Sequence, residues 1–244
     1  YTSPEIFAEE MERIFPPRWL CAGREDQIAK PGDFITQDVG AESIIILRDR
    51  SGVARAFFNV CRHRGTRICE GSEGQFSETI QCPYHAWTYT TDGRLVGAPH
   101  MSEAEGFDKR NYSLHAAAVA AWHGFLFINL SKDPEPLEDA LAPLRGRFER
   151  FNLAALTRVR RIDYEVKANW KLIFQNYNEC LHCPTIHPEL SRLMPYTSGA
   201  NDLAGGPYLG GHTLIAPPNK SMTTRGEACG VRPTTGRPLE RTTW

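Results

Sequence analysis

Two short clusters of cysteine and histidine constrain this chain more than any other feature of its sequence. Cys61 and His63 form the first cluster, and Cys82 and His85 form the second. Within each cluster the thiol and the imidazole are two or three positions apart, so one tight loop can direct both at a common centre. Glycine and proline, which favour turns, lie between and within the clusters. The two clusters therefore predict a metal site whose ligands come from two loops.

Two kinds of metal centre use two cysteines and two histidines. One is a tetrahedral zinc ion. The other is a two-iron, two-sulfide cluster, in which the cysteines hold one iron and the histidines hold the other. The spacing of the ligands alone does not separate these two possibilities.

The residues around the ligands resemble a known family. Residues 59–65, NVCRHRG, and residues 81–89, QCPYHAWTY, closely resemble the two signature loops of Rieske iron–sulfur proteins, specifically those of the Rieske non-haem iron oxygenases. This resemblance implies a Rieske-type [2Fe-2S] cluster, with Cys61 and Cys82 on one iron and His63 and His85 on the other. Neutral imidazoles in place of two thiolates make such a cluster easier to reduce than a four-cysteine cluster.

Length and composition are those of an ordinary globular protein. The 244 residues, 41% of them hydrophobic, suffice for one large or two modest domains. A net charge of -1 argues against a nucleic-acid or anionic-membrane surface, and no apolar run has the length of a membrane span. Seven cysteines, an odd number in a chain too large to need disulfide staples, favour a reducing cytoplasm and metal chemistry over secretion.

The hydrophobic pattern predicts an α+β protein. Ser3 and Pro4 begin an amphipathic helix that Pro16 and Pro17 end. Short strand patterns separated by turn residues then predict a small antiparallel β domain with both ligand clusters at hairpin tips. The strand patterns cover residues 43–47, 53–60, 79–81, 86–89 and 124–130. Helical spacing returns at residues 137–151, a possible strand covers 158–166, and a further helix is predicted from about Ala168.

We therefore divide the chain into three regions. Residues 1–34 contain an N-terminal helix that packs on the catalytic domain, and residues 35–150 form the Rieske [2Fe-2S] domain. By the resemblance, residues 151–244 are the beginning of a helix-and-sheet, START-like catalytic domain for non-haem iron. The family's third iron ligand is an aspartate far downstream, and Asp202, Glu227 and Glu240 do not match its context. The resemblance thus implies that this domain is truncated.

A second set of candidate ligands follows the predicted domain boundary. Glu179 and His182 are three positions apart, and at about 100° per residue they share one face of a helix. Pro184 and Pro188 break that helix, so His187 can return towards the same point. Two histidines, with one carboxylate and an open face, suit a ferrous iron site. Taken singly, each of these residues is more often a packing or surface side chain.

The resemblance assigns roles to this set. It implies that His182 and His187 hold a mononuclear Fe(II). It also implies that Glu179 acts in catalysis as a bridge between His182 and a cluster histidine, corresponding to His85, in a neighbouring subunit of a homo-oligomer such as a trimer. The family gives no ligand role to Cys180 and Cys183, so we interpret this Cys-x-x-Cys pair as packing thiols rather than a zinc or thiol redox motif.

Glu179 also bears on the substrate. Aromatic ring-hydroxylating members of the family more often have aspartate at this position. The run Glu-Cys-Leu-His-Cys-Pro at residues 179–184 is more similar to the branch that acts on choline, glycine betaine and carnitine. A quaternary ammonium ion would require an aromatic cage. Tyr177, Tyr196 and Tyr208 are candidates for it, and an ordinary packing or surface role is at least as common for such residues.

The function implied is an oxygenase component. It would take electrons from an NAD(P)H-dependent flavin and ferredoxin-type reductase, docked around Trp87 and His85, and use O₂ to hydroxylate a small substrate. Hydroxylation of an N-methyl carbon would release formaldehyde and the demethylated amine. Three alternatives are an aromatic ring-hydroxylating dioxygenase alpha subunit, a Rieske electron-transfer protein without oxygenase activity, and a zinc-stabilised binding module.

Overall fold

The computed structural model describes residues 1–202, 210–219, 221, 222 and 227. The chain divides into two compact units. The first comprises residues 3–140 and 153–161, and the second comprises residues 1–2, 141–152 and 162–244. The boundaries near residues 34 and 150 that the sequence suggests remain predictions.

The N-terminal helix, α1, spans Pro4–Arg13 and begins as the sequence predicts. The Ser3 hydroxyl accepts a hydrogen bond from the Ile6 N–H at 3.2 Å, and proline occupies the first turn, where its missing N–H costs nothing. No residue of this helix is buried. The helix belongs to the first unit, together with strands β1 to β10. Its packing on the catalytic domain remains a prediction.

An antiparallel seven-stranded sheet dominates the first unit, with the strand order β1-β10-β9-β4-β3-β2-β5. Its third strand in chain order, β3, contains four consecutive residues, 44–47, that are completely buried. Successive side chains of a strand point to opposite faces, so Ile45 and Leu47 enter one hydrophobic cluster while Ile44 and Ile46 enter the other. The strands are β1 Leu20–Arg24, β2 Asp33–Val39, β3 Glu42–Arg48, β4 Ala54–Phe58, β5 Glu73–Gln75, β9 Ala116–Trp122 and β10 Phe125–Asn129.

A three-stranded sheet completes the first unit, in the order β6-β7-β8. Its strands are β6 Thr79–Gln81, β7 Thr88–Thr90 and β8 Leu95–Gly97. Ile80, Trp87 and Tyr89 from this hairpin sheet join Ile45 and Leu47 in one hydrophobic cluster. The small sheet is therefore anchored to one face of the large sheet by apolar burial.

The sequence identified some of these elements and missed others. All five strand patterns correspond to strands of the structure, whereas β1, β2, β5, β8 and β9 were not predicted. The single helix predicted for residues 137–151 is wrong, because α2 ends after Leu137–Ala140 and short 3₁₀ turns follow. Pro143 and Gly146, whose φ is 77°, explain the break. The strand predicted at 158–166 is also wrong, since these residues form no strand and are exposed.

The second unit contains short elements. They are α3 Trp170–Asn178, α4 Cys183–Ile186, α5 Pro188–Leu193, β11 Ala200–Asp202 and β12 Gly210–His212. Asn169 caps α3, because its side chain accepts a hydrogen bond from the Lys171 N–H at 3.0 Å. No residue of α3 is buried within this chain. In the described part of the protein, no helix combines the length and apolarity that crossing a membrane requires.

Candidate metal centres

The first ligand pair lies in a tight loop that follows β4. The Cys61 N–H donates to the Thr66 carbonyl at 2.8 Å, and the Gly65 N–H donates to the Cys61 carbonyl at 3.0 Å. Gly65 has a φ of 72°, a conformation that glycine adopts without strain. The loop buries Cys61 and leaves His63 partly exposed. Both side chains thus belong to one closed turn.

A buried asparagine holds this loop in place. The Asn59 carboxamide oxygen accepts hydrogen bonds from the Ile68 N–H at 3.0 Å and the Cys69 N–H at 2.8 Å. Its nitrogen donates to the Cys69 carbonyl at 2.7 Å and to the Ser43 hydroxyl at 3.2 Å. One side chain therefore joins the start of the ligand loop to its end. Asn59 is a functional residue that the sequence pattern did not identify, although a lone amide between an apolar strand and a candidate ligand is a usable signal.

The second ligand pair lies in the connection between β6 and β7. Gln81 pairs with Thr88, so the intervening residues form the tip of a hairpin, as predicted. The Cys82 N–H donates to the Trp87 carbonyl at 2.8 Å, and the Ala86 N–H donates back to the Cys82 carbonyl at 3.1 Å. Cys82 is 2% exposed. His85, which lies in the same turn, is exposed.

The two loops bring their ligands together in like pairs. The ring centroids of His63 and His85 are 4.8 Å apart, with an interplanar angle of 71°. Cys61 and Cys82 belong to the same buried cluster of side chains, and burial raises the pKa of the Cys82 thiol. Because a metal binds the thiolate rather than the thiol, metal binding at Cys82 would release a proton.

Tyr89 supports the pair of cysteines. Its hydroxyl lies 3.3 Å from the Cys61 sulfur and accepts a hydrogen bond from the Arg62 N–H at 3.1 Å. Burial, and then the hydrogen bond with Cys61, raise the pKa of the Tyr89 hydroxyl. This hydroxyl therefore keeps its proton and can donate to a thiolate. Tyr89 belongs to the second signature loop, but the sequence alone does not indicate this contact with Cys61.

The aromatic residue Trp87 supports the histidines and is not itself part of the surface. Its ring stacks on His63 at 4.8 Å, with an interplanar angle of 7°. Trp87 is only 2% exposed, so the predicted docking surface cannot include it. The exposed residues at this edge are Pro83, Tyr84 and His85.

The donor atoms of this site fit an iron–sulfur cluster. Among the described side chains, the Nδ1 atom of His63 is buried and has no hydrogen-bond partner. A buried nitrogen without a partner is costly unless it binds something. In the described residues, no three or more histidine, cysteine, aspartate or glutamate side chains converge as ligands of a single ion. The structure instead offers one pair of sulfurs and one pair of nitrogens, as a two-iron cluster requires.

The second candidate site differs locally from the sequence prediction. Helix α3 ends at Asn178, and Glu179 has extended backbone angles of -130° and 149°. Glu179 and His182 therefore do not share a helix face, which corrects that prediction. Pro184 lies in the first turn of a new helix, α4, rather than ending an old one. The polar side chains of 176, 178 and 179, which can bond to nearby backbone in place of a helix, are consistent with this early end.

Glu179 nevertheless contacts His182, and His187 lies beside His182. A Glu179 carboxylate oxygen, Oε1, lies 2.7 Å from the His182 Nδ1, and Oε2 accepts a hydrogen bond from the Leu181 N–H at 2.7 Å. The hydrogen bond with His182 is the main cause that lowers the pKa of Glu179. The rings of His182 and His187 are 5.4 Å apart. Because Nδ1 of His182 is engaged, its Nε2 remains available for a metal.

Cys180 and Cys183 are joined as a disulfide, with Cα atoms 5.0 Å apart. This bond corrects the interpretation of both residues as packing thiols. The pair encloses Leu181 and His182, so it lies within the second candidate site. The free cysteines among the described residues are Cys21, Cys61, Cys69 and Cys82.

Other residues that the sequence suggested are less informative. Tyr177 is 90% exposed and Tyr196 is 40% exposed, so neither forms a closed cage within the described structure. Glu227 is exposed. Tyr208, Glu240 and the side chain of Asp202 lie outside what the structure describes. A third iron ligand is therefore not identified among the described residues.

Two family profiles match the chain. Residues 18–115 match the Rieske [2Fe-2S] domain, and residues 153–244 match the catalytic domain of the ring hydroxylating alpha subunit. The carnitine monooxygenase oxygenase subunit of Acinetobacter baumannii is 42% identical over 77% of this chain and 51% of its own length. The glycine betaine monooxygenase oxygenase subunit of Chromohalobacter salexigens is 38% identical over 78% of this chain and 42% of its own.

A solved structure of a Rieske monooxygenase is also similar to this chain. It is that of a quaternary ammonium Rieske monooxygenase, described for carnitine oxidation by gut microbiota and inter-subunit electron transfer. It is 38% identical, has a TM-score of 0.76, and matches 80% of this chain and 54% of its own chain. The chain thus spans about half the length of the relatives that it matches.

The chain belongs to the Rieske non-haem iron oxygenases. Its α+β fold, with an antiparallel Rieske domain followed by part of a catalytic domain, is confirmed. The Rieske domain implies a [2Fe-2S] cluster and the catalytic domain implies a mononuclear iron, which confirms both predicted cofactors and removes the zinc alternative. The assignment of individual residues to these metals remains a prediction that the geometry above supports.

Proposed function

We propose that the protein is the oxygenase component of a Rieske system that uses O₂ to hydroxylate a quaternary ammonium compound. One observation supports the proposal most directly. The same chain contains a pair of cysteines beside a pair of histidines and, separately, the set Glu179, His182 and His187. In this proposal Cys61, Cys82 and the two histidines of the Rieske loops, His63 and His85, hold the cluster. When bound, the cluster supplies single electrons and the mononuclear iron supplies oxygen activation.

His182 and His187 are the proposed ligands of the mononuclear Fe(II). Glu179 fixes the orientation of His182, because its carboxylate is 2.7 Å from Nδ1 and leaves Nε2 for the iron. The Glu179 side chain is 46% exposed, so it can also accept a hydrogen bond from a second imidazole. The exposed His85 of a neighbouring subunit is the proposed partner, and this arrangement requires a homo-oligomeric ring such as a trimer.

The bridge is tested by Glu179→Gln. Glutamine keeps the size of the side chain but loses the charge and offers a single acceptor oxygen, so two imidazoles can no longer both be held. We expect both metal centres to stay filled, while substrate-dependent reoxidation of the cluster slows about 10- to 100-fold. Rapid mixing of reduced protein with O₂ and substrate, followed by cluster absorbance, measures this rate.

Glu189→Gln is the matched control. Glu189 lies two positions after His187, and its ion pair with Arg192 is at the exposed surface, 3.7 Å long. We expect this change to leave the reoxidation rate as it was. A Glu179→Gln protein that reoxidises its cluster at the unchanged rate would refute the bridge.

The substrate class rests on the relatives and on Glu179. Two relatives named for carnitine and glycine betaine oxidation share 42% and 38% of aligned residues with this chain. Hydroxylation of an N-methyl carbon would leave an unstable product that breaks into formaldehyde and a demethylated amine. We expect O₂ consumption with carnitine or glycine betaine, together with release of an amine and an aldehyde. Oxidation of an aromatic hydrocarbon alone would favour the ring-hydroxylating alternative.

Partner and compartment belong to the same proposal. An NAD(P)H-dependent flavin and ferredoxin-type reductase would supply electrons at the edge formed by Pro83 and Tyr84, next to the His85 that faces a neighbouring subunit. We propose a reducing compartment, the cytoplasm, because the buried cluster cysteines must be free thiols before they bind iron. Iron analysis separates this function from electron transfer alone, since an oxygenase carries a mononuclear iron in addition to the two irons of the cluster.

A further inference from the structure

The cysteine pair on either side of Leu181 and His182 has no part in the proposed metal chemistry. Cys180 and Cys183 are bonded, and their Cα separation of 5.0 Å lies within the range that disulfides normally span. The Cys183 N–H also donates to the Cys180 carbonyl at 3.1 Å, so a backbone hydrogen bond closes the same bend. The donor and acceptor of this hydrogen bond are backbone atoms, so breaking the disulfide leaves both in place.

The bond closes a small ring around a proposed iron ligand. The ring contains the backbone of Leu181 and His182, and Glu179 is attached directly to its first member. Glu179 contacts this segment twice, through the Leu181 N–H at 2.7 Å and the His182 Nδ1 at 2.7 Å. The disulfide form therefore retains the carboxylate–imidazole contact and restricts the backbone that positions it.

The two cysteines differ in accessibility. Cys180 is half-buried, whereas Cys183 is 4% exposed. An oxidant from solvent therefore reaches Cys180 first, and the neighbouring Cys183 resolves the product. Among the described free cysteines outside the proposed cluster, Cys21 is exposed, and Cys69 is buried, with a pKa that burial raises to about 12.

We propose that Cys180 and Cys183 form a reversible thiol–disulfide site that regulates how firmly His182 is held for the mononuclear iron. The effect on iron binding rests on the proposed function, whereas the thiol–disulfide site itself does not. The oxidant is hydrogen peroxide. The Cys180 thiolate attacks peroxide, giving a sulfenic acid and a hydroxide ion that takes up a proton to become water. The Cys183 thiol then attacks the sulfenic acid sulfur, and the disulfide forms with loss of a second water. Two electrons pass from the thiols to peroxide, and a dithiol reductant returns them.

Peptide mapping tests the site without any measurement of turnover. Trypsin releases residues 172–192 as one peptide, which contains Cys180 and Cys183 and no other cysteine. The cluster-loaded protein is treated with dithiothreitol or with one equivalent of peroxide, and is then alkylated while denatured. We expect both cysteines of this peptide to be alkylated after reduction and neither after peroxide, with full reversal by dithiothreitol. Retention of both thiols after peroxide, or pairing of either with another cysteine, would overturn the proposal.

Affinity for ferrous ion tests the regulation. After peroxide is removed, the mononuclear site is titrated anaerobically with ferrous ion against a competing chelator. The oxidised protein should bind about tenfold more tightly than the reduced protein, because the cross-link removes freedom from the metal-free bend. Equal affinities in the two states would overturn this regulation.

Two variants control for other effects of peroxide. In Cys183→Ser, and independently in Cys180→Ser, the affinity should equal that of the reduced protein and no longer respond to peroxide. Cys21→Ser should behave as the unmodified protein does, since this exposed cysteine lies outside the bend. A peroxide response that persists in both bend variants would contradict the assignment. The peptide map remains informative even if the Glu179→Gln test refutes the proposed function.

Discussion

The two candidate metal centres are held in different ways. At the Rieske loops, Cys61 and Cys82 are 3% and 2% exposed, and contacts with residues distant in sequence fix their loops. Asn59 bonds to Cys69, ten positions away, and Tyr89 bonds to Cys61, 28 positions away. Around Glu179, by contrast, the contacts that position His182 join residues within three positions of one another.

The two sites differ in their connection to the hydrophobic core. The first site is part of a hydrophobic cluster that includes Ile45 of the large sheet, so a change near it should also affect folding. The second site follows α3, which has no buried residue within this chain, and its local contacts can form or break without the β domain. Substitutions near the first site should therefore lower the stability of the β domain, whereas substitutions at the second site should change iron binding alone.

The largest effect is expected for Asn59→Ala. It leaves the buried N–H groups of Ile68 and Cys69 without their acceptor, at a cost of about 3 kcal/mol in the free energy of unfolding. Iron of the cluster should be lost in parallel, as measured by cluster absorbance during thermal unfolding. Ser43→Ala is the control, because it removes only a 3.2 Å hydrogen bond and should cost less than about 1 kcal/mol. If both variants unfold alike, the asparagine does not hold the loop.

Asp49 should give the β domain a dependence on acid. Burial would raise the pKa of this carboxyl, but hydrogen bonds from Ser51 and Arg55 and the N–H groups of Ser51 and Val53 outweigh burial and lower the pKa to about 2. The folded pKa lies below the unfolded value of 3.8, so the stabilisation is present above pH 3.8 and is lost as pH falls through about 2.

Asp49→Asn should therefore lower the free energy of unfolding at pH 7 by about 2 kcal/mol and flatten its decline below pH 5. Denaturant unfolding at several pH values measures this change. Glu5→Gln is a control, because the Glu5 carboxyl is fully exposed on α1 and should give no comparable change. If the unfolding free energy of Asp49→Asn declines in acid as that of the unmodified protein does, other carboxylates are the cause of the acid dependence of the first unit.

Tyr89→Phe should change the cluster rather than the fold. Loss of a hydrogen bond to the Cys61 sulfur removes a donor that favours the more negative, reduced cluster. At about 1.4 kcal/mol for the bond, the reduction potential should fall by about 60 mV. A redox titration of the cluster measures the shift. Tyr112→Phe is the control, because the Tyr112 ring contacts Trp87 at a centroid distance of 5.6 Å and phenylalanine keeps that ring. The reduction potential of the cluster should be unchanged in this variant.

The smallest effect on folding is expected for His182→Ala. This change should remove the mononuclear iron, yet alter the unfolding free energy of the β domain by less than about 0.5 kcal/mol. Iron analysis and thermal unfolding of the same sample measure the two quantities. A loss of β-domain stability as large as that of Asn59→Ala would end the distinction between a core-supported site and a locally supported one.

The residues alone were enough to propose candidate ligands. Residue type and short spacing are local properties, so the Cys–His clusters and Glu179, His182 and His187 could be picked out as candidates from the sequence. The α+β class followed from the change between helical and strand periods. The capped start of α1 also followed, because Ser3 and Pro4 act on the adjacent backbone.

The tertiary structure decided what surrounds the ligands. The contacts of Asn59, the proximity of Tyr89 to Cys61 and the burial of Trp87 join segments that are separate in sequence, so no local pattern encodes them. Among the unpredicted strands, the Ala-rich β9 gains its stability from neighbours in the sheet rather than from intrinsic propensity. The end of α3 and the Cys180–Cys183 bond likewise depend on a balance between helical and side-chain hydrogen bonds that periodicity does not measure.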